Sequence, residues 1–155
     1  MERIKKVKDY MSKNIIKFSP EDSIFKVAKV LSKKNISGAP VVKNGKLVGI
    51  ISESDIVKFM RINLPIKSEK PAILSLILAA LIKDHLQFKK ELKRISKFKV
   101  ENVMSKDVIT ISPEDTILDA ATQMAKHDIH RLPVVKNGKL VGIITRADLI
   151  KALLE

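Results

Sequence analysis

Two motifs combine a hydroxyl with a carboxylate three residues later, namely Ser52-Glu53-Ser54-Asp55 and Thr145-Arg146-Ala147-Asp148. Each is predicted to begin a helix. One interpretation is structural, because (Ser/Thr)-x-x-(Asp/Glu) at a helix start is a capping box. The other is chemical. The carboxylate can accept both hydroxyls of a ribose, while the Ser or Thr hydroxyl and the open backbone N–H groups face a phosphate. The two interpretations compete for the aspartates.

Two further pairs of residues, Ser37-Gly38 and His130-Arg131, precede Pro-Val-Val runs and differ in charge. Arg131 can hold a phosphate through two parallel bonds, and His130 can donate one more. Arg146 adds a third cation, where the first motif has Glu53. The alternative is a solvated loop in which His130 and Arg131 have no role. If the basic residues meet a ligand, the second motif should bind phosphate groups better than the first.

These residues belong to two copies of one unit. Residues 41–51 recur letter for letter at 134–144, and positions 7–56 match 100–149 at 26 of 50 places, always 93 residues apart. An internal repeat of this kind indicates a duplicated structural unit. The predicted organisation is one repeat at 7–60, an insert at 61–99 and a second repeat at 100–155, together one module over 1–155.

Each copy is predicted as strand, helix, strand, strand, helix. In the second copy Val108–Ile111 is the first strand, and Ser112-Pro113-Glu114-Asp115 starts the helix with serine as its cap. Asn44-Gly45 and Asn137-Gly138 lie between apolar runs and predict two-residue hairpin turns. Helical spacing continues through apolar residues of both copies: Ile24, Val27, Ala28, Leu31, and Ile117, Ala120, Ala121, Met124.

One copy is too small to cover both faces of its three-stranded sheet. We therefore expect an α/β (α+β) fold. In it, two pseudo-twofold-related β-α-β-β-α repeats pack sheet to sheet, with a helical insert between them.

The pattern resembles the cystathionine-β-synthase (CBS) domain, present as the tandem pair called a Bateman module. The matching features are a Met-Ser-x-x-(Ile/Val) opening, the Pro-Val-Val hairpin and Gly-Ile-Ile-(Ser/Thr)-x-x-Asp, in this order twice. The resemblance covers about two thirds of the chain and leaves the insert unexplained. It implies a regulatory module that binds AMP, ADP, ATP or S-adenosylmethionine in two clefts between the repeats. It also implies a regulated partner enzyme or transporter.

By this resemblance Asp55 and Asp148 hold the ribose, and each cleft takes its opening segment from the opposite repeat. The residues implied for one cleft are Asp148, Thr145, Arg146, His130, Arg131, Tyr10, Met11 and Lys13. Those implied for the other are Asp55, Ser52, Ser37, Val103, Met104 and Lys106.

No enzymatic chemistry is indicated by the sequence. The absence of Cys excludes disulfides, thiolate zinc sites and thiol catalysis. Neither Gly-x-Gly-x-x-Gly nor Gly-x-x-x-x-Gly-Lys-(Ser/Thr) occurs, and the three histidines lack metal-ligand spacing. We predict no catalytic residue, no metal and no catalytic cofactor. The longest apolar run, 72–82, is shorter than the roughly 20 residues a membrane span needs, so we expect a cytoplasmic protein without a transmembrane segment.

The formal net charge of +13 is concentrated in the insert, where 61–99 hold ten Lys/Arg and three Asp/Glu. We predict a helix from Ala72, apolar on every face to Ile82 and amphipathic beyond Asp84. It is expected to complete a homodimer interface. A partner-docking surface and a membrane-surface helix are the alternatives. The rival functions are nucleic-acid binding through this charge and a purely structural dimeric scaffold. Against nucleic acid, aromatic residues form only 4% of the chain and no stacking motif.

Overall fold

The computed structural model describes residues 3–63 and 97–155, and within them both repeats have the same order of elements. The first repeat contains α1 (Val7–Tyr10), α2 (Ile24–Lys34), β1 (Gly38–Lys43), β2 (Lys46–Ser52) and α3 (Glu53–Asn63). The second contains a 3-10 helix (Val100–Asn102), α4 (Ile117–His127), β3 (Arg131–Lys136), β4 (Lys139–Thr145) and α5 (Arg146–Leu154). The expected α/β class with two repeats is confirmed. The predicted insert helix lies outside the described residues. No helix in the described part of the chain is long and apolar enough to cross a bilayer.

The chain divides into two compact units that do not follow the repeat boundaries. The first unit comprises Met1–Lys17, Val42–Val48 and Asp107–Glu155, and the second comprises Phe18–Val41 and Gly49–Lys106. Each unit therefore combines the body of one repeat with the opening segment of the other.

In the first unit, buried contacts fix the opening segment to the body of the second repeat. Val7 is fully buried in a cluster with Ile111, Ala120, Met124, Leu132, Val134 and Ile144. Its N–H donates to the Asp115 carbonyl at 2.9 Å, and the Ile117 N–H donates to Lys5 at 3.0 Å. The segment is thus held by apolar burial and by the backbone groups at the start of α4.

The second unit repeats this arrangement with the segment that opens the second repeat. Val100 is fully buried, and its N–H donates to the Asp22 carbonyl at 2.8 Å. The Ile24 N–H donates to Phe98 at 3.0 Å. Since every bond has a counterpart 93 residues away, the exchange of opening segments is a property of the repeat itself.

The strands follow the order β1-β2-β4-β3, and β3 pairs with β4 antiparallel. β2 and β4 meet in the first unit at their tips, where Lys46 lies opposite Lys139. Both hairpins turn through a left-handed Asn-Gly pair, with φ of 52° at Asn44 and 77° at Gly45. Glycine adopts this backbone without the strain that a Cβ adds. The predicted hairpin turns are confirmed.

The predicted helix start at Ser112 is wrong. Asp115 Oδ2 accepts the Ser112 N–H at 2.9 Å, which closes a turn before the helix begins. The cap of α4 is Thr116, whose hydroxyl accepts the Asp119 N–H at 3.0 Å. In the first repeat Ser23 caps α2 in the same way. The Ser-Pro-Glu-Asp segment forms a turn because its aspartate binds the serine backbone.

The predicted first strand is reduced to one parallel bridge, between Ile111 and Val134. The Ile111 N–H donates to the Pro133 carbonyl at 3.1 Å, and Val135 donates to Ile111 at 2.9 Å. The next bridge toward the N-terminus would need the N–H of Pro133, which proline lacks. The first repeat has Pro40 at the same place and a single Phe18–Val41 bridge.

Candidate functional site

The start of α5 holds the carboxylate of Asp148 at the end of β4. Asp148 Oδ2 accepts the backbone N–H of Thr145 at 2.8 Å and its hydroxyl at 3.0 Å. Among the described residues, no group donates to the second oxygen, Oδ1. The capping box therefore uses one oxygen and leaves the other able to accept a ligand hydroxyl, so the two interpretations of the motif are compatible.

The start of α3 has the same geometry around Asp55. Its Oδ2 accepts the Ser52 N–H at 2.9 Å and the Ser52 hydroxyl at 3.0 Å. Both side chains are half-buried, as are Thr145 and Asp148. The two motifs thus present one carboxylate oxygen each from an equivalent position.

A third capping box shows that this geometry alone does not define a binding site. Asp119 Oδ2 accepts the Thr116 N–H at 2.9 Å and the Thr116 hydroxyl at 2.8 Å, which lower the pKa of Asp119. This carboxylate follows a turn rather than a hairpin and has no counterpart of the His130-Arg131 loop beside it in sequence. What distinguishes Asp55 and Asp148 is their position at the end of a hairpin.

The backbone joins each motif to the loop that precedes its hairpin. The Arg146 N–H donates to the His130 carbonyl at 3.1 Å, and Arg131 pairs with Thr145 across β3 and β4. In the second unit the Glu53 N–H donates to the Ser37 carbonyl at 2.9 Å. The predicted loop residues are therefore brought together with the predicted helix-start residues in both units.

Three basic residues of the first unit cluster at this junction. His130 and Arg146 are exposed and Arg131 is half-buried. Arg146 pairs with Asp128 at 3.9 Å, and the two side chains are 54% and 99% exposed. An ion pair this long and this solvated is weak, so Arg146 can exchange Asp128 for a ligand anion.

The opening segments reach the same strands from the other edge. Ser12 and Ile143 exchange backbone hydrogen bonds of 2.9 and 3.0 Å, and Met11 lies against Gly142. Ile143 precedes Thr145 by two residues, which is about 7 Å along a strand. Met11 and Ser12 therefore lie near the start of α5.

In the second unit Ser105 and Ile50 exchange two hydrogen bonds of 2.9 Å, and Met104 lies against Gly49. Val103 is half-buried and donates its N–H to Val100 at 3.0 Å. Met104, like Met11, is thus placed beside the strand that leads to the candidate carboxylate.

Tyr10 lies near the far end of α5 rather than at its start. Burial and the nearby Glu155 carboxylate together raise the pKa of Tyr10. Glu155 lies about 10 Å along α5 from Asp148. Lys13 and Lys106 are exposed.

Sequence reasoning missed the two strand glycines that admit the opening segments. A Cβ at Gly49 would lie 2.6 Å from Met104 Sδ and 2.9 Å from the Ser105 carbonyl oxygen. At Gly142 it would collide with Met11 Sδ and lie 3.2 Å from the Ser12 oxygen. A glycine inside a strand often marks close backbone approach, and that signal was present in both copies.

A separate groove of about 750 Å³ in the first unit contains none of the predicted ligand residues. It lies beside α1, the start of α4 and Glu155. Its two basic residues, Arg3 and Lys5, already have partners. Arg3 pairs with Asp9 at 3.7 Å, and Lys5 Nζ donates to the Ala152 carbonyl at 2.7 Å. Within residues 3–63 and 97–155, no cluster of three His, Cys, Asp or Glu side chains is placed to hold a metal.

The sequence of the chain is similar to those of known proteins. The family model described as the CBS domain matches the chain twice, at residues 7–62 and 100–155. The uncharacterized protein MJ1426 of Methanocaldococcus jannaschii is 47% identical over 154 residues, covering 96% of this chain and 90% of that protein. The inosine-5'-monophosphate dehydrogenase of Korarchaeum cryptofilum is 29% identical over 146 residues, which are 94% of this chain but 24% of that enzyme.

Two solved structures are similar as well. One is the CBS domain of a CBS domain containing membrane protein from Sphaerobacter thermophilus, with a TM-score of 0.72 and 36% identity over 96% of this chain and 88% of that one. The other is the CBS domain pair of protein MJ0100 in complex with 5-methylthioadenosine and S-adenosyl-L-methionine, with a TM-score of 0.69 and 30% identity over 97% of each chain. The family match covers most of the sequence in two copies, so the protein belongs to the CBS domain family as a tandem pair.

Proposed function

We propose that this chain is a non-catalytic regulatory module that binds an adenosyl nucleotide beside Asp148. The main support for this proposal is that the start of α5 lies beside the loop containing His130 and Arg131. Asp148 lies in the first turn of α5 and uses only one carboxylate oxygen in the cap. In the same turn the Arg146 N–H donates to the carbonyl of His130, which belongs to the basic loop. Asp148 would accept the ribose hydroxyls. Arg131, Arg146 and His130 would contact the phosphate, as the charge-assisted bonds of arginine favour.

Relatives support an adenosyl ligand. The CBS domain pair of MJ0100 was solved with 5-methylthioadenosine and S-adenosyl-L-methionine, two compounds that share adenosine. The sequence match to part of an inosine-5'-monophosphate dehydrogenase supports a regulatory role toward an enzyme. We infer that ligand binding changes the affinity of the chain for a partner enzyme or transporter.

Isothermal titration calorimetry of the whole chain with AMP tests the site. Asp148→Asn keeps an oxygen that can accept the Thr145 N–H but removes the charge, and we expect AMP binding to weaken about tenfold or more. Asp119→Asn is the matched control, because it changes an equivalent capping box with no basic loop beside it in sequence. Equal losses in the two variants would show that the effect comes from capping, and the proposed site would fail.

We also propose that the chain forms a homodimer. Equivalent helix positions of the two repeats expose apolar side chains: Phe25 and Leu118, and Val57 and Ile150, are 40, 75, 37 and 58% exposed. Contact between copies would remove this surface from water, which is favourable. Light scattering at several concentrations should report twice the chain mass of 17.4 kDa, and a monomer throughout would refute the dimer.

A further inference from the structure

The two candidate sites differ in charge although their backbones are the same. The Glu53 N–H donates to the Ser37 carbonyl in one unit, and the Arg146 N–H donates to the His130 carbonyl in the other. The hairpins that follow these loops are identical from 41–51 and 134–144. The difference is therefore confined to side chains around a conserved geometry.

At the Asp55 site, these positions carry two carboxylates and no cation. Ser37 and Gly38 replace His130 and Arg131, and Glu53 replaces Arg146. The opening segments do not add to this difference, because each carries one lysine at the equivalent position, Lys13 or Lys106.

A phosphate placed beside Glu53 and Asp55 would be repelled by both carboxylates, and the positions equivalent to Arg131 and Arg146 would offer it no guanidinium. A sulfonium, by contrast, would be attracted by the same two charges. The Asp148 site has the reverse preference, since Arg131 and Arg146 favour an anion.

We propose that the two sites select ligands of opposite charge: the Asp148 site takes an adenosyl 5′-phosphate, and the Asp55 site takes an adenosyl compound with a cationic or neutral 5′ group. This assignment rests on the proposed function and deepens it, because the chain then responds to two kinds of adenosyl ligand. Glu53 and Arg146 set the preference. Both are exposed first residues of their helices, so exchanging their charge does not disturb the core.

Calorimetric titrations of the whole chain with AMP and with S-adenosylmethionine, at about 0.15 M salt, test the assignment. Asp55→Asn should weaken S-adenosylmethionine binding about tenfold or more and leave AMP binding intact, and Asp148→Asn should do the reverse. Glu53→Arg should create a second AMP site. That gain should vanish in the double variant Glu53→Arg/Asp55→Asn, which separates a local contact from a general charge effect.

Arg146→Glu should weaken AMP binding by a similar factor. Its control is Lys136→Glu, which changes the net charge equally at the far end of β3 and should change AMP affinity less than about twofold. If Glu53→Arg gains no AMP site, or if S-adenosylmethionine depends on Asp148, the charge assignment is refuted while AMP binding at Asp148 stands. If the unaltered chain binds neither compound, the proposed function fails together with this inference.

Discussion

Substituting the two strand glycines should destabilise the chain by unequal amounts. At Gly49 an added Cβ meets the Ser105 carbonyl oxygen at 2.9 Å, and this oxygen is fixed by its hydrogen bond to Ile50. At Gly142 the closest atoms belong to the flexible Met11 side chain, and the Ser12 oxygen lies at 3.2 Å. Overpacking costs about 1–3 kcal/mol. We expect Gly49→Ala near the top of that range and Gly142→Ala near the bottom.

The measurement is the free energy of unfolding from urea denaturation, extended to a double-mutant cycle. Met11→Ala removes the side chain that Gly142→Ala would overlap, so the double variant should be more stable than the sum of the single effects by about 1 kcal/mol. Met104→Ala should rescue Gly49→Ala less well, because the clash with the Ser105 backbone remains.

The control for the cycle is Gly138→Ala. Its φ of 76° makes a Cβ unfavourable, but nothing lies within 4 Å of that Cβ. Its cost of about 1 kcal/mol should add to that of Met11→Ala without coupling. Strict additivity of Gly142→Ala with Met11→Ala, or equal costs for Gly49→Ala and Gly142→Ala, would refute the reasoning.

Two further predictions concern local electrostatics and helix capping, each with a control substitution. Hydrogen bonds from two lysines lower the pKa of Glu114 from 4.5 to about 2. Its stabilising contribution is therefore complete above about pH 4.5 and is lost as pH falls toward 2. Glu114→Gln should reduce the pH dependence of the unfolding free energy over that interval. Glu101 forms no ion pair in the described part of the chain, so Glu101→Gln should leave the pH dependence as it is in the unaltered protein. Thr116→Ala should cost about 1 kcal/mol in urea denaturation as the loss of a helix cap, and Ser112→Ala should cost clearly less. The reverse order would restore Ser112 as the cap.

The elements that sequence reasoning predicted well are those set by local chemistry. Asn-Gly pairs determined both hairpin turns, and apolar residues at helical spacing identified α2 and α4, with Ile24 and Met124 buried. The predicted start of α4 was wrong because the sequence offers two candidate caps four residues apart, Ser112 and Thr116. The apolar phase, which begins at Ile117, favours the second, and the Asp115 carboxylate binds the first in a turn.

The exchange of opening segments was predicted from the family resemblance and not from periodicity, because no local pattern reveals which repeat a segment packs against. The structure explains it by long-range contacts of Val7 and Val100. The site residues divide in the same way. The position of Asp55 and Asp148 at the end of a hairpin can be predicted from the sequence. That Glu155 raises the pKa of Tyr10 depends on α1 and α5 lying side by side, which the sequence does not specify.

The repeat itself separates the residues required by the fold from those available for ligand selection. The Asn-Gly turns, the strand glycines and the Met-Ser openings are identical in both copies, and each has a backbone or packing reason. Ser37 and His130, by contrast, are exposed and differ, although the same backbone bond forms at both, at 2.9 and 3.1 Å. Since the fold accepts a serine or a histidine there equally, it does not determine the choice. A duplicated unit can thus keep its packing while the side chains beside each aspartate diverge, and the ligand preference of each site should follow those side chains.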